Sequence, residues 1–186
     1  LISQSKSPLI ITDSAGRDPQ GFENLVKLAE LLAIPVVESA ATYSNFPKSH
    51  PLHLGFEPGP YLDQADLVLL IGSRSPWYPP NAGPKHATVV AMGESPIKGH
   101  MVYQNLLADR YVEGDLTLGL GLLIEELRSY APASVANVNE RRTLWEAEHN
   151  RMADVNQKAE SAAMSAQPID PVWLCAALSE VMPENT

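Results

Sequence analysis

The chain has 186 residues, 45% hydrophobic and 19% charged, proportions that exclude a disordered or fibrous polymer and fit a globular domain around one core. Thirteen Lys and Arg against 22 Asp and Glu leave a formal charge of −9, with residues 94–186 carrying 14 acids and 7 bases against 8 and 6 in residues 1–93. This balance argues against nucleic acid or an anionic membrane as partner, and the lone Cys175 excludes an internal disulfide.

Residues 8–12, Pro-Leu-Ile-Ile-Thr, form a short apolar run of the kind buried on both faces of a parallel sheet. The loop Asp13-Ser14-Ala15-Gly16-Arg17 follows, and Asp18 with Pro19 supplies an N-cap and a first helical residue. Phe22, Leu25, Val26, Leu28, Ala29 and Leu32 then recur at helical spacing. Residues 34–37 predict a second strand, entered at Pro35. Residues 38–61 are polar and proline-rich, a connection longer than usual. Residues 67–71, Leu-Val-Leu-Leu-Ile closed by Gly72, predict the strongest strand, residues 88–92 the next and residues 110–113 a further short one. Residues 115–130 turn helical, with Leu116, Leu120, Leu123, Ile124 and Leu127 on one side and Asp115 at the positive end of the helix dipole.

Strands alternating with helical patterns predict an α/β domain, a parallel sheet with helices on both faces. Beyond it Val138, Trp145, Met152 and Ala159 stand seven residues apart, beside Val155 and Ala162, a narrow stripe suited to a helix on the domain surface or linking to another domain. Residues 165–171 break it, and Pro171 opens a last helix over 172–182, where Cys175 is expected to be a small buried hydrophobe. No apolar run approaches the roughly 20 residues that cross a bilayer and no signal segment is visible, so a cytoplasmic location is expected. The chain opens on Leu1 and ends four residues after an apolar-faced helix; the expectation is a piece excised from a longer protein.

In open parallel sheets ligands bind at the carboxyl ends of strands, which directs attention to the loops after Thr12, Val37, Ile71 and Met92. Gly16 lets a phosphate approach backbone amides at a helix start with Arg17 as charge partner, or serves only a tight turn; Gly16 and Gly21 match neither a dinucleotide fingerprint nor a P-loop. Gly72-Ser73-Arg74 offers a glycine that lets a ligand cross the strand end and a guanidinium that pairs with phosphate. Glu94 is the carboxylate available to ribose hydroxyls. No catalytic residues and no metal ligands are assigned: His50 and His53 have no cysteine or adjacent carboxylate to complete a zinc site, and His86, His100 and His149 stand apart. Trp77 and Tyr78 among prolines suit stacking on a flat ligand or a contact with a neighbouring domain, and the domain contact is expected.

Arg17-Asp18-Pro19, Leu28-Ala29-Glu30-Leu31-Leu32-Ala33-Ile34-Pro35-Val36-Val37, Asn45-Phe46-Pro47, His50-Pro51-Leu52-His53-Leu54-Gly55, Ala65-Asp66-Leu67-Val68-Leu69-Leu70-Ile71-Gly72 and Pro76-Trp77 occur in that order. With these motifs the chain resembles the central domain of thiamine-diphosphate-dependent enzymes of the acetolactate synthase type. Residues 165–182 resemble the lead-in to the cofactor-diphosphate domain of that family. The resemblance implies a six-stranded Rossmann-like sheet over residues 1–131 and a helical linker over 132–186. It implies a homo-oligomeric parent, a transferase or lyase that decarboxylates or ligates a 2-oxo acid. Thiamine diphosphate and magnesium would be held there by neighbouring pyrimidine- and diphosphate-binding domains of the same chain. The family's activating glutamate and Gly-Asp-Gly motif belong to those domains, so a structural and subunit-contact role is expected here, without catalysis.

Some members hold FAD or ADP across the strand ends of this domain, which makes a working FAD- or ADP-binding module the alternative. Gly72-Ser73-Arg74 matches the family's Gly-x-Arg, whereas the first loop lacks its glycine-rich stretch, and Ala91-Met92-Gly93-Glu94 stands where an aspartate is found. A deacylase of the sirtuin type shares only the strand from Ala65 to Gly72, and its four-cysteine zinc module is missing.

Overall fold

The structure, a computed structural model, describes residues 1–74, 76–97, 107–129 and 135–182, so His100 and Tyr130 lie outside it. The apolar runs form a parallel sheet of β1 (Pro8–Thr12), β2 (Val36–Glu38), β3 (Leu67–Ile71), β4 (Thr88–Gly93) and β5 (Arg110–Glu113) in the order β2-β1-β3-β4-β5. β1 and β3 pair from Pro8 with Leu67 to Thr12 with Ile71, and all ten of their residues are buried. Burial alternates along β4 and is lost in β5, the exposed edge.

The sheet has five strands among the described residues, where six were expected. Beyond β2 the chain returns for one isolated parallel bridge, Val36 with His53. The Val36 N–H donates to the Leu52 carbonyl and the Leu54 N–H to the Val36 carbonyl, both at 2.8 Å. The Leu52 N–H that would extend this ladder backwards donates instead to His50 Nδ1 at 3.1 Å, and forwards the Glu38 N–H donates to the carbonyl of Gly55, whose φ of 79° takes the chain out of strand conformation.

Five helices accompany the strands: α1 (Pro19–Leu32), α2 (Gly59–Leu62), α3 (Leu116–Ser129), α4 (Val135–Ala163) and α5 (Pro171–Val181). Asp18 caps α1 by accepting from the N–H groups of Gln20 and Gly21 at 2.8 and 3.1 Å, and Pro19 occupies the first position, where no N–H is needed. α1 stops without a glycine: Ala33 takes the left-handed conformation at φ 50°. The Arg141 guanidinium then covers the open end, donating to the Leu32 carbonyl at 2.6 and 3.1 Å and to Ser5 O at 3.2 Å. A cation suits the negative end of a helix, and partial burial lowers the Arg141 pKa from its ordinary value. α3 lies against α1, burying Leu120 and Ile124, and Asn24 donates to the Thr117 carbonyl at 3.1 Å.

Contacts divide the chain into two compact units, Leu1–Glu146 and Ala147–Thr186. The first part of α4 belongs to the first unit, where Trp145 is buried edge-on to Tyr61 of α2, ring centroids 6.1 Å apart. In the second unit Asp170 caps α5 through the Val172 N–H at 2.8 Å. α5 buries none of its residues, so Cys175 is exposed and not the buried hydrophobe expected, since no described element covers its side of the helix.

The loop over residues 38–55 is organised by Glu38, which has no exposed surface. Its carboxylate accepts from the Asn45 backbone N–H at 2.8 Å, from Asn45 Nδ2 at 3.1 Å and from Lys48, and it pairs with His53 Nε2 at 3.0 Å. Burial by itself would raise the Glu38 pKa; the hydrogen bonds from His53, Lys48 and the Asn45 backbone outweigh it and hold the value at about 2 against 4.5. Asn45 continues the network, donating to the Asp13 and Tyr43 carbonyls at 3.2 and 2.8 Å and accepting from the Gly16 N–H at 2.8 Å. Gly16 is a glycine because this loop lies on it: a Cβ there would fall 1.9 Å from the Ser44 carbonyl oxygen.

Three outcomes are expected. Because the Glu38 pKa falls on folding, its contribution is complete above pH 4.5 and disappears as pH drops toward 2. It amounts to about 3 kcal/mol, measurable by urea unfolding along a pH series, and the Glu38→Gln chain should show a flatter acid limb. At neutral pH that substitution should cost about 3 kcal/mol, since it removes the charge that the buried donors of Asn45 and His53 surround. Gly16→Ala should cost more than about 2 kcal/mol in the same assay, because backbone must move to admit one methyl group.

Candidate functional site

The strand order reverses between β1 and β3: the chain leaves β1 for β2 on one side and returns to β3 on the other. Neighbouring loops diverge there and open a crevice at the carboxyl ends. A cleft of about 310 Å³ occupies it, with Leu70, Ala91, Met92 and Leu116 as apolar lining and Asp13, Ser14, Arg17, Thr42, Ser73, Arg74 and Glu94 as polar lining.

Of the six residues singled out in the sequence, Arg17, Gly72, Ser73, Arg74 and Glu94 line this cleft, while Gly16 lies under the Ser44–Asn45 backbone. The structure brings them together and pairs most of them internally. The Gly16 N–H is held by Asn45. Gly72, at φ 56°, needs to be glycine because a Cβ would meet Ser14 Oγ at 2.8 Å and Leu116 Cδ2 at 3.0 Å, and its carbonyl accepts from Ser14 Oγ at 2.6 Å. Arg74 donates its backbone N–H and its Nε to Asp13 Oδ2 at 2.8 and 3.1 Å and its Nη2 to Thr42 Oγ1 at 2.8 Å. Arg17 is ion-paired with Glu94, whose hydrogen bond and charge raise the Arg17 pKa above its ordinary value. Ser73 differs: its hydroxyl is buried and has no hydrogen-bond partner among the described residues.

Asp13 is the residue that the sequence reading passed over. It is 2% exposed, and a buried carboxylate needs a counter-charge. The available signal was its position, directly after the last residue of a fully buried strand. Asn45 and Glu38 were missed for the same reason: their partners lie 29 and 15 residues away along the chain. The loop histidines have structural partners, His53 in Glu38 and His50 in Glu30 at 3.3 Å. Trp77 is half-buried within its own loop, where a Cβ on Gly83 would fall 2.6 Å from its Nε1, while Tyr78 is 73% exposed.

Chemically, the cleft presents two neutralised ion pairs and the hydroxyls of Ser14, Thr42, Tyr43, Ser73 and Ser95. The cations that the phosphates of a nucleotide would engage, Arg17 and Arg74, are each paired with a carboxylate of the cleft. The donor set does not fit magnesium: among the described residues no three His, Cys, Asp or Glu side chains converge.

Residues 1–123 match the family model described as thiamine pyrophosphate enzyme, central domain. Among curated proteins, the acetolactate synthase large subunit of Corynebacterium glutamicum is 34% identical over 82 residues, covering 40% of this chain and 13% of the relative. The 3D-(3,5/4)-trihydroxycyclohexane-1,2-dione hydrolase of Geobacillus thermodenitrificans is 25% identical over 162 residues, 83% of this chain and 25% of the relative. The chain thus spans a quarter or less of these relatives. Two solved structures share the fold. Benzoylformate decarboxylase from Polynucleobacter necessarius has a TM-score of 0.56 at 24% identity, over 67% of this chain and 25% of that one. The thiamine diphosphate-dependent 4-hydroxybenzoylformate decarboxylase of Rhodococcus jostii has a TM-score of 0.58 at 21% identity, over 73% and 27%. With a family match across two thirds of its length and the parallel sheet that the relatives share, the chain belongs to the central-domain family of thiamine pyrophosphate enzymes.

Proposed function

We propose that this chain is the scaffolding and subunit-contact middle of a larger thiamine-diphosphate enzyme that decarboxylates or ligates a 2-oxo acid, a transferase or lyase of the cytoplasm. The observation that carries the reading is the family match over residues 1–123 on a domain whose cleft residues are engaged with one another. Thiamine diphosphate and magnesium belong, on this reading, to pyrimidine- and diphosphate-binding domains on either side, and the parent is a homo-oligomer. Residues 1–131 form the central domain, and 132–186 lead as a helical linker toward the domain that follows. The chain's own residues contribute position: Glu38, Asn45 and Arg141 fix loops and helix ends, and none moves a proton. The alternative, a working FAD- or ADP-binding module, has the unpartnered Ser73 hydroxyl in its favour.

Two measurements test this. The parent coding region should encode an upstream glutamate-bearing pyrimidine domain and a downstream Gly-Asp-Gly followed by Asn-Asn about 25–30 residues later; a reading frame without them sinks the enzyme reading. Within this domain, Arg74→Ala should lower stability by about 2 kcal/mol with or without ADP or FAD, because it removes the cation from a buried carboxylate. A loss of nucleotide binding with unchanged urea midpoint would instead favour the binding module.

A further inference from the structure

We propose that the cleft at the ends of β1, β3 and β4 is closed to phosphate-bearing ligands by the chain's own carboxylates, with Glu94 occupying the Arg17 guanidinium that a phosphate would otherwise engage. The inference builds on the scaffold reading above, and its readout is binding to this chain, independent of any 2-oxo acid turnover.

The cleft holds the parts of an anion site: two guanidiniums, several hydroxyls including the buried one of Ser73, and a tight turn at the switch point of the sheet. Each charged part already has a partner of opposite charge. The two ion pairs differ in how firmly they are made. Asp13 is buried, and its Oδ2 takes both the backbone N–H and the Nε of Arg74, so this pair is built into the turn after β3. Arg17 and Glu94 come from the loops after β1 and β4, and their side chains are 57% and 53% exposed, so their pair spans the cleft and is separable. An exposed pair contributes little to folding. Its consequence is electrostatic: the Glu94 carboxylate cancels Arg17 and repels an approaching anion at close range. The Ser73 hydroxyl, buried in the same cleft and unpartnered, is the donor that an admitted phosphate would meet.

The test measures binding of inorganic pyrophosphate and ADP to the 186-residue chain by calorimetry, for wild type, Glu94→Gln, Glu94→Asp and the double variant Arg17→Ala/Glu94→Gln. Glu94→Gln removes the charge and keeps the shape, so both probes should bind at least about tenfold more tightly than to wild type. Glu94→Asp keeps the charge and should behave as wild type, and the double variant should lose the gain. Circular dichroism confirms that each variant is folded, as exposed substitutions predict. Wild type that binds either probe as tightly as Glu94→Gln does, or a Glu94→Gln chain that binds neither, overturns the proposal, as does a gain that survives loss of Arg17. None of these outcomes alters the family assignment or the expected flanking domains.

Discussion

The Glu38 carboxylate sits at the end of β2 with no surface exposed to water, and it stays ionised because Lys48, His53 and two donors of Asn45 surround it. Taking such a group out of water is costly unless every lone pair finds a donor. That demand draws residues 45–53 back over the end of β2 and makes the longest loop of the first unit an ordered element. Through Asn45 the same network reaches the Asp13 carbonyl and the Gly16 N–H. The loop after β1, and with it Arg17, is thereby positioned by a charge on the neighbouring strand.

Similar tethers act at the other end of the sheet. Asp66, just before β3, accepts from Ser5 Oγ and from the N–H groups of Lys6 and Ser7, fixing the segment that leads into β1 beside its partner strand. Burial alone would raise the Asp66 pKa; these donors hold it below its ordinary value. Arg141 ties α4 to the last carbonyl of α1 and to Ser5. Polar and charged side chains therefore fix the ends of the elements, while the buried runs of β1 and β3 supply the core. Ion pairs at one end of the sheet and hydrogen bonds at the other thus fix the segments that connect its elements.

The fold was legible in particular residues. The apolar runs at 8–12 and 67–71 are strands because both of their faces are covered, so no polar alternation interrupts them. Asp18 and Pro19 marked the start of α1 by local chemistry alone. The five strand patterns correspond to the five strands of the sheet, whereas the sixth, expected from the resemblance alone, has no counterpart among the described residues. The exposure of Cys175 was hidden, since an apolar helix face reads the same whether or not something covers it.

The amino-acid sequence by itself determined the α/β class, the boundaries of most elements and the loops that meet at the sheet's carboxyl ends, because these follow from local periodicity and capping. Tertiary structure alone decided what those loops do. Arg17 and Glu94 are 77 residues apart and Asp13 and Arg74 are 61 apart, and no local rule reports that one will neutralise the other. A cation near a strand end looks the same in sequence whether it awaits a phosphate or already holds a carboxylate, since that difference exists only once the strands have brought the two charges together.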